Sequence, residues 1–262
     1  MSNVLSEVDK GVATVTLNRP DVLNALSPDM ARDLHHSLVG IMEDENTRCV
    51  VLRGAGNGFM AGGDIGFFKR ALPDLDAGRV EELDPIFEHV HGIVRTLRDM
   101  PAPVVGVLHG AVAGFGVSLA AACDLSIAAE DSRFTLAYCH LGTSPDGGSS
   151  YILPRVVGFK KAMELALLGD RFDAREALAW GLVNKVVPAD ELDTAVDEWV
   201  RRLAAGPRFA YSRTKALLYG SLDETFTNQV KAEERAFKQC ARTADFAEGV
   251  TAFVEKRKAK FG

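Results

Sequence analysis

The 262 residues are 47% hydrophobic and 25% charged, with a formal net charge of −6. That balance supports one large buried core, in a single domain or in a domain with a small appendage, and leaves no basic footprint for nucleic acid. No run of about 18 apolar residues occurs to span a membrane, the first residues lack the basic-then-apolar layout of a signal peptide, and Cys49, Cys123, Cys139 and Cys240 are scattered without a CxxC, the pattern of reduced thiols in a cytoplasmic protein.

In chain order, "GVATVTLN" (11–18) alternates like a strand. "SPDMARDLHHSLVGIMED" (27–44) predicts a helix, with Ser27 as N-cap, Pro28 in the first turn and apolar residues at helical spacing. "CVVLRG" (49–54) reads as a short buried strand that leads to a glycine-rich corner, "FMAGGDI" (59–65). "RVEELDPIFEHVHGIVRTLRDM" (79–100) is mostly helical, with Pro85 in a first turn. "APVVGVLHG" (102–110) is a second buried strand, its corner "GAVAGFGVSLAAACD" (110–124) feeds a helix of small residues, and "LSIAAE" (125–130) is a further strand. Strand alternating with helix predicts an α/β fold rather than a sandwich. From about residue 189 the character changes to amphipathic helices over 191–205, 208–221, 222–242 and 244–261, whose apolar stripes need the core or another subunit as a partner. The expected organisation is a core over 1–200 and a helical region over 201–262.

Two strand-to-glycine corners invite a ligand, because glycine lets a backbone N–H be approached closely. Gly110, Gly114 and Gly116 do not make GxGxxG, and GxxxxGK[ST] does not occur, so a nucleotide site is disfavoured. Either the glycines only let helix pack on strand, or two N–H groups converge on one oxygen as an oxyanion hole. A second feature is "SPDGG" (144–148), which sets the carboxylate of Asp146 at the mouth of an apolar segment. Read alone, Asp146 is a turn residue capping nearby N–H groups. His89 and His91 diverge at i,i+2, a poor metal geometry, and no metal site is expected.

"NRPDVLNALS", "FMAGGDI", "GAVAGFGVSLAAACDLSIAAEDSRF", "LGTSPDGGSSYILPRVVG" and "ALAWGLVNKVVP" stand in the order and spacing of the crotonase, or enoyl-CoA hydratase/isomerase, superfamily, which the chain resembles over nearly its whole length. The resemblance implies a spiral of ββα units, a C-terminal helical region that builds a homotrimer or a hexamer, and an acyl-CoA thioester substrate, with coenzyme A part of the substrate and no separate cofactor. It places oxyanion donors on the main-chain N–H of Gly63 and Phe115. It places coenzyme A contacts on Leu23, Ala25, Ala61, Asp64 and Ile65, with Phe253 and Lys256 reaching coenzyme A from the chain end. Tyr138 and His91 would line the acyl pocket. Where a resembling hydratase keeps two glutamates, this sequence has Ser118 and Tyr138. The "SPDGG" loop falls where the family's Δ3,Δ2-enoyl-CoA isomerases and ring-epoxide phenylacetyl-CoA isomerases carry an acid, which makes Asp146 the implied base. One carboxylate suffices to shift a double bond, whereas adding water needs a base for water and an acid for carbon. The implied reaction is therefore isomerisation, with hydration or non-catalytic acyl-CoA binding as alternatives.

Overall fold

The structure, a computed structural model, describes residues 2–262. A hairpin opens it: β1 (Val4–Asp9) and β2 (Val12–Leu17) pair antiparallel around Lys10 and Gly11, both at positive φ as a tight two-residue turn requires. In α1 (Pro28–Glu43) the Ser27 side chain accepts from the Met30 N–H, and Met30, Ala31, Leu34, Leu38 and Ile41 form the buried stripe.

A repeated unit follows. β3 (Cys49–Gly54) and β4 (Gly58–Met60) lead to α2 (Ile65–Asp76) and α3 (Asp84–Asp99). β5 (Val104–Leu108) and β6 (Ala111–Ala113) lead to α4 (Phe115–Ala122). β7 (Leu125–Ala129) and β8 (Arg133–Thr135) lead to α5 (Ser149–Val156) and α6 (Phe159–Leu168). β9 (Phe172–Asp173), α7 (Ala174–Ala179), β10 (Lys185–Val187) and α8 (Leu192–Ala204) close the core, and α9 (Arg208–Gly220), α10 (Phe226–Cys240) and α11 (Ala244–Val254) complete the chain. The first strand of each unit joins a six-stranded sheet, β1-β2-β3-β5-β7-β10, and the second joins a four-stranded sheet, β4-β6-β8-β9. The ββα units therefore wind as a spiral, parallel within each sheet except at β1–β2 and β8–β9.

The large sheet is covered on both faces, which is why its strands read as continuous apolar runs. Val50 and Leu52 face the main core with Val104 and Leu108, while Cys49 and Val51 face a second core with Val105, Val107 and Ile127. α8 closes that second core through Leu192, Ala195, Val196 and Val200. α9 docks through a buried cluster. Lys215 Nζ lies 2.7 Å from Asp124, which also accepts from the Val104 N–H at 2.7 Å and from the Tyr219 hydroxyl at 3.1 Å. Burial pushes the Asp124 carboxyl up and the Lys215 ammonium down, each shift partly offset by the other's charge.

The structure corrects the sequence reading at two places. Helices α5, α6 and α7 occupy a stretch without a predicted helix, where Gly147, Gly148 and Pro154 break the pattern. The last helix stops at Val254 rather than running to 261, because Lys256 takes φ 54° and the tail folds back, with Arg257 and the Lys260 N–H on Glu248. Among the described residues, no helix is long and apolar enough to cross a membrane.

Candidate functional site

Two corners of the spiral come together at the edge of the small sheet. β4 and β6 run parallel in the register Met60↔Val112, so three residues further on Gly63 and Phe115 occupy equivalent places. The close approach needs glycine: Gly62 (φ 88°) and Gly114 (φ 50°) pack so tightly that a Cβ on Gly62 would stand 3.2 Å from the Ala113 oxygen. On its other edge the 62–64 segment pairs with Leu26, through Leu26 N–H to Gly62 O at 2.7 Å and Asp64 N–H to Leu26 O at 3.0 Å. Strand alternation then turns the Gly63 N–H away from Leu26. Phe115 is the first residue of α4, where N–H groups lack intrahelical acceptors and the helix end is positive. Among the described residues neither the Gly63 N–H nor the Phe115 N–H donates a hydrogen bond.

The segment Leu23–Leu26 is shaped by Asn24, a residue that the sequence reading passed over. Fully buried at φ 56°, Asn24 donates to the carbonyls of Ala55 and Gly58 at 2.9 and 2.8 Å, and accepts from the Arg19 N–H. A polar residue inside "RPDVLNALS" was the available signal, but Asn is also common in exposed turns. Ala61 donates to Leu23 O, so Leu23, Ala25, Ala61, Asp64 and Ile65 are brought side by side, with Leu23 and Ile65 exposed. Asp64 is a structural residue here: it caps α2 at the Phe67 N–H and pairs with Arg19 at 2.9 Å. Burial would raise its pKa, but the Arg19 and Phe67 donors outweigh that and hold the carboxyl below its ordinary value.

Asp146 sits just before α5, against the Phe115 corner. Gly147, at φ 59°, has no room for a Cβ, which would meet the Phe115 ring at 2.6 Å and Ser118 Cβ at 3.0 Å. The Asp146 carbonyl is held three ways, by Ser118 Oγ at 3.0 Å, Ser149 Oγ at 2.9 Å and the Ser149 N–H at 3.2 Å. Its side chain accepts from the Tyr138 hydroxyl at 2.5 Å through Oδ1, and among the described residues nothing donates to Oδ2. Ser118 and Tyr138 thus both serve the Asp146 loop, one through its main chain and one through its carboxylate. Burial raises the Asp146 pKa, opposed by the Tyr138 hydrogen bond and by the charge of His91. Burial and the neighbouring carboxylate push the Tyr138 phenol upward, so it stays protonated and donates.

His91 stacks on Phe87 in α3, with ring centroids 6.0 Å apart, and lines a cavity of about 250 Å³ with Val94, Arg95, Arg98, Asp99, Gly147 and Gly148. His140 Nε2–H donates to the Gly169 carbonyl at 3.1 Å, and the residue is exposed. Phe253 and Lys256 are not brought to Asp146 in this chain. Phe253 is 85% exposed on α11, beside a groove of about 390 Å³ with Phe246, Val250 and Phe261, and neither residue lines the cavity beside Asp146.

A family model described as enoyl-CoA hydratase/isomerase matches residues 7–262. The chain is 37% identical over 262 residues to a 1,2-epoxyphenylacetyl-CoA isomerase of Escherichia coli, covering 100% of this chain and 98% of that protein. It is 32% identical over 260 residues to a crotonyl-CoA hydratase of Syntrophomonas wolfei, covering 99% and 97%. A crystal structure of an enoyl-CoA hydratase from Polaromonas sp. superposes with a TM-score of 0.93 at 30% identity, over 99% of each chain.

Proposed function

The chain belongs to the enoyl-CoA hydratase/isomerase family, and we propose that within it this protein shifts a double bond in an enoyl-CoA thioester, with Asp146 as its single acid–base group. The N–H groups of Gly63 and Phe115 receive the thioester oxygen. They stabilise the negative charge that grows there as the α-carbon becomes an enolate. Asp146 Oδ2 takes the proton from one carbon and returns it to another, since the carboxylate leaves the first step protonated. Leu23, Ala25, Ala61, Asp64 and Ile65 form the coenzyme A side, Asp64 by holding the turn. Phe253 and Lys256 reach coenzyme A from a neighbouring subunit.

One observation carries the reading: Asp146 has one oxygen held by Tyr138 and the other unpartnered, while the two positions that would carry a hydratase's glutamates hold Ser118 and Tyr138, both engaged with its loop. Neither is an ionised base at neutral pH. The test is to incubate the protein with a 3-enoyl-CoA and a 2-enoyl-CoA and follow the products by mass spectrometry and ultraviolet absorbance. Isomerisation moves the double bond at constant mass; gain of one water from the 2-enoyl-CoA would instead make the protein a hydratase.

The base must be ionised to take a proton, so kcat/KM falls as pH falls through the raised Asp146 pKa. Tyr138→Phe removes the hydrogen bond that favours the ionised form. The acid limb of the profile should then move to higher pH; an unmoved limb would mean that Tyr138 does not tune the base. The exposed side chains of Val250, Phe253 and Val254 on α11 support an oligomer built through this end of the chain. Light scattering at micromolar concentration should give a trimer or hexamer, and a monomer would count against it.

A further inference from the structure

The cavity lined by Gly147 and Gly148, next in sequence to Asp146, has a mostly apolar floor but carries charged side chains at its open rim, more than a plain hydrocarbon chain would need. α3 presents His91, Arg95 and Arg98 to it at one-turn spacing, with Val94 between them packed on Gly148. Among the described residues neither arginine lies within ion-pair distance of a carboxylate. Arg98 is fixed all the same: its guanidinium lies over the rings of Tyr219, 4.7 Å from the centroid, and Tyr151, 5.2 Å. Stacking uses the face of the guanidinium and leaves its in-plane N–H fork free, the edge that takes a carboxylate. Asp99 is the one acid on the cavity wall, and its charge is also felt by Lys215. Two arginines against one aspartate leave the cavity net positive, before His91 is counted. His91 also ties the cavity to the reacting centre, since its charge acts on Asp146.

From this juxtaposition we infer that the acyl group carries a carboxylate at its far end, received by Arg95 and Arg98, so that the substrate class is the coenzyme A monothioester of an unsaturated dicarboxylic acid. The inference rests on the isomerase reading only in that the acyl chain passes Asp146 on its way to the cavity. Charge at that end does two things. It anchors the chain beyond the double bond, which holds the migrating proton's two carbons against Oδ2. It also discriminates against neutral chains, which leave the guanidinium fork unpaired.

The experiment compares kcat/KM for 3-hexenoyl-CoA with that for the same chain ending in a carboxylate, 3-hexenedioyl-CoA, at low and at physiological salt. The carboxylated chain should be preferred by roughly ten- to a hundredfold, the scale of one charge-assisted hydrogen-bonded pair, and the preference should shrink with salt. Arg95→Gln should bring the ratio toward one, and Arg95→Lys should restore part of it. Arg98→Gln should act likewise, with circular dichroism and Tm showing whether loss of the stacked guanidinium has loosened α9 instead. Equal kcat/KM for the two chains, or a preference that survives both glutamine variants, overturns the inference. Failure to isomerise either chain overturns the isomerase reading itself, a separate outcome from isomerisation without preference.

Discussion

Asp146→Asn should abolish exchange of the α-proton of a 3-enoyl-CoA in deuterated water, with turnover falling roughly a hundred- to ten-thousandfold, the contribution of a positioned base. The substitution is close to silent structurally. The amide oxygen can still accept from the Tyr138 hydroxyl, and the three hydrogen bonds that clamp the loop run to the main-chain carbonyl, which the substitution leaves in place. Acyl-CoA should still bind, because the donors at Gly63 and Phe115 are main-chain groups. The loss should therefore sit in kcat rather than in affinity, and it should be absent from Ser118→Ala, whose hydroxyl touches only the carbonyl of residue 146 and the Tyr138 hydroxyl. Exchange that persists undiminished in Asp146→Asn would sink the single-base mechanism and move the search to His91, the other titratable group whose charge reaches this carboxylate.

The second large effect is expected at Gly63, and it needs a paired comparison. Gly63→Pro deletes the N–H, which makes no hydrogen bond within the chain, so no internal bond is lost with it. Any side chain at this position also meets a clash, since a Cβ would stand 2.7 Å from Phe68 Cε2. Gly63→Ala carries the same clash and keeps the N–H. Turnover in the proline variant should fall at least roughly a hundredfold below the alanine variant, the scale of one oxyanion donor. Equal activities would show that the Gly63 N–H stabilises no transition state and that the corner is glycine only for packing. Phe115→Ala, which also keeps its N–H, should cost far less than Gly63→Pro. The loss it does cause reports the ring packed against Gly147.

The strands and the first helix were legible because their signals are local. Ser27 and Pro28 start α1, and the apolar runs 49–54 and 104–108 are what two-sided burial demands. α5 to α7 were illegible because glycines and an internal proline break the period, while the partners that hold these helices are distant in sequence. Lys256 ended the last helix early for a reason no periodicity carries, a positive φ that closes the tail onto Glu248.

At the site, the division is between residue types and their directions. The sequence by itself determined that a glycine corner follows each of two strands and that Asp146 is the acid of the "SPDGG" loop, since these are facts of identity and order, and its family resemblance implied that Ser118 and Tyr138 stand where a hydratase keeps two glutamates. Only the tertiary structure decided what those residues do. The Leu26 pairing turns the Gly63 N–H outward, the buried Tyr138 hydroxyl points at one oxygen of Asp146, and Ser118 spends its hydroxyl on the loop carbonyl. It also decided that α3 carries Arg95 and Arg98 to the cavity lined by Gly147 and Gly148. The physical reason is that a hydrogen bond and a desolvated charge depend on the direction and burial of atoms brought together by the fold, and a one-dimensional pattern encodes neither.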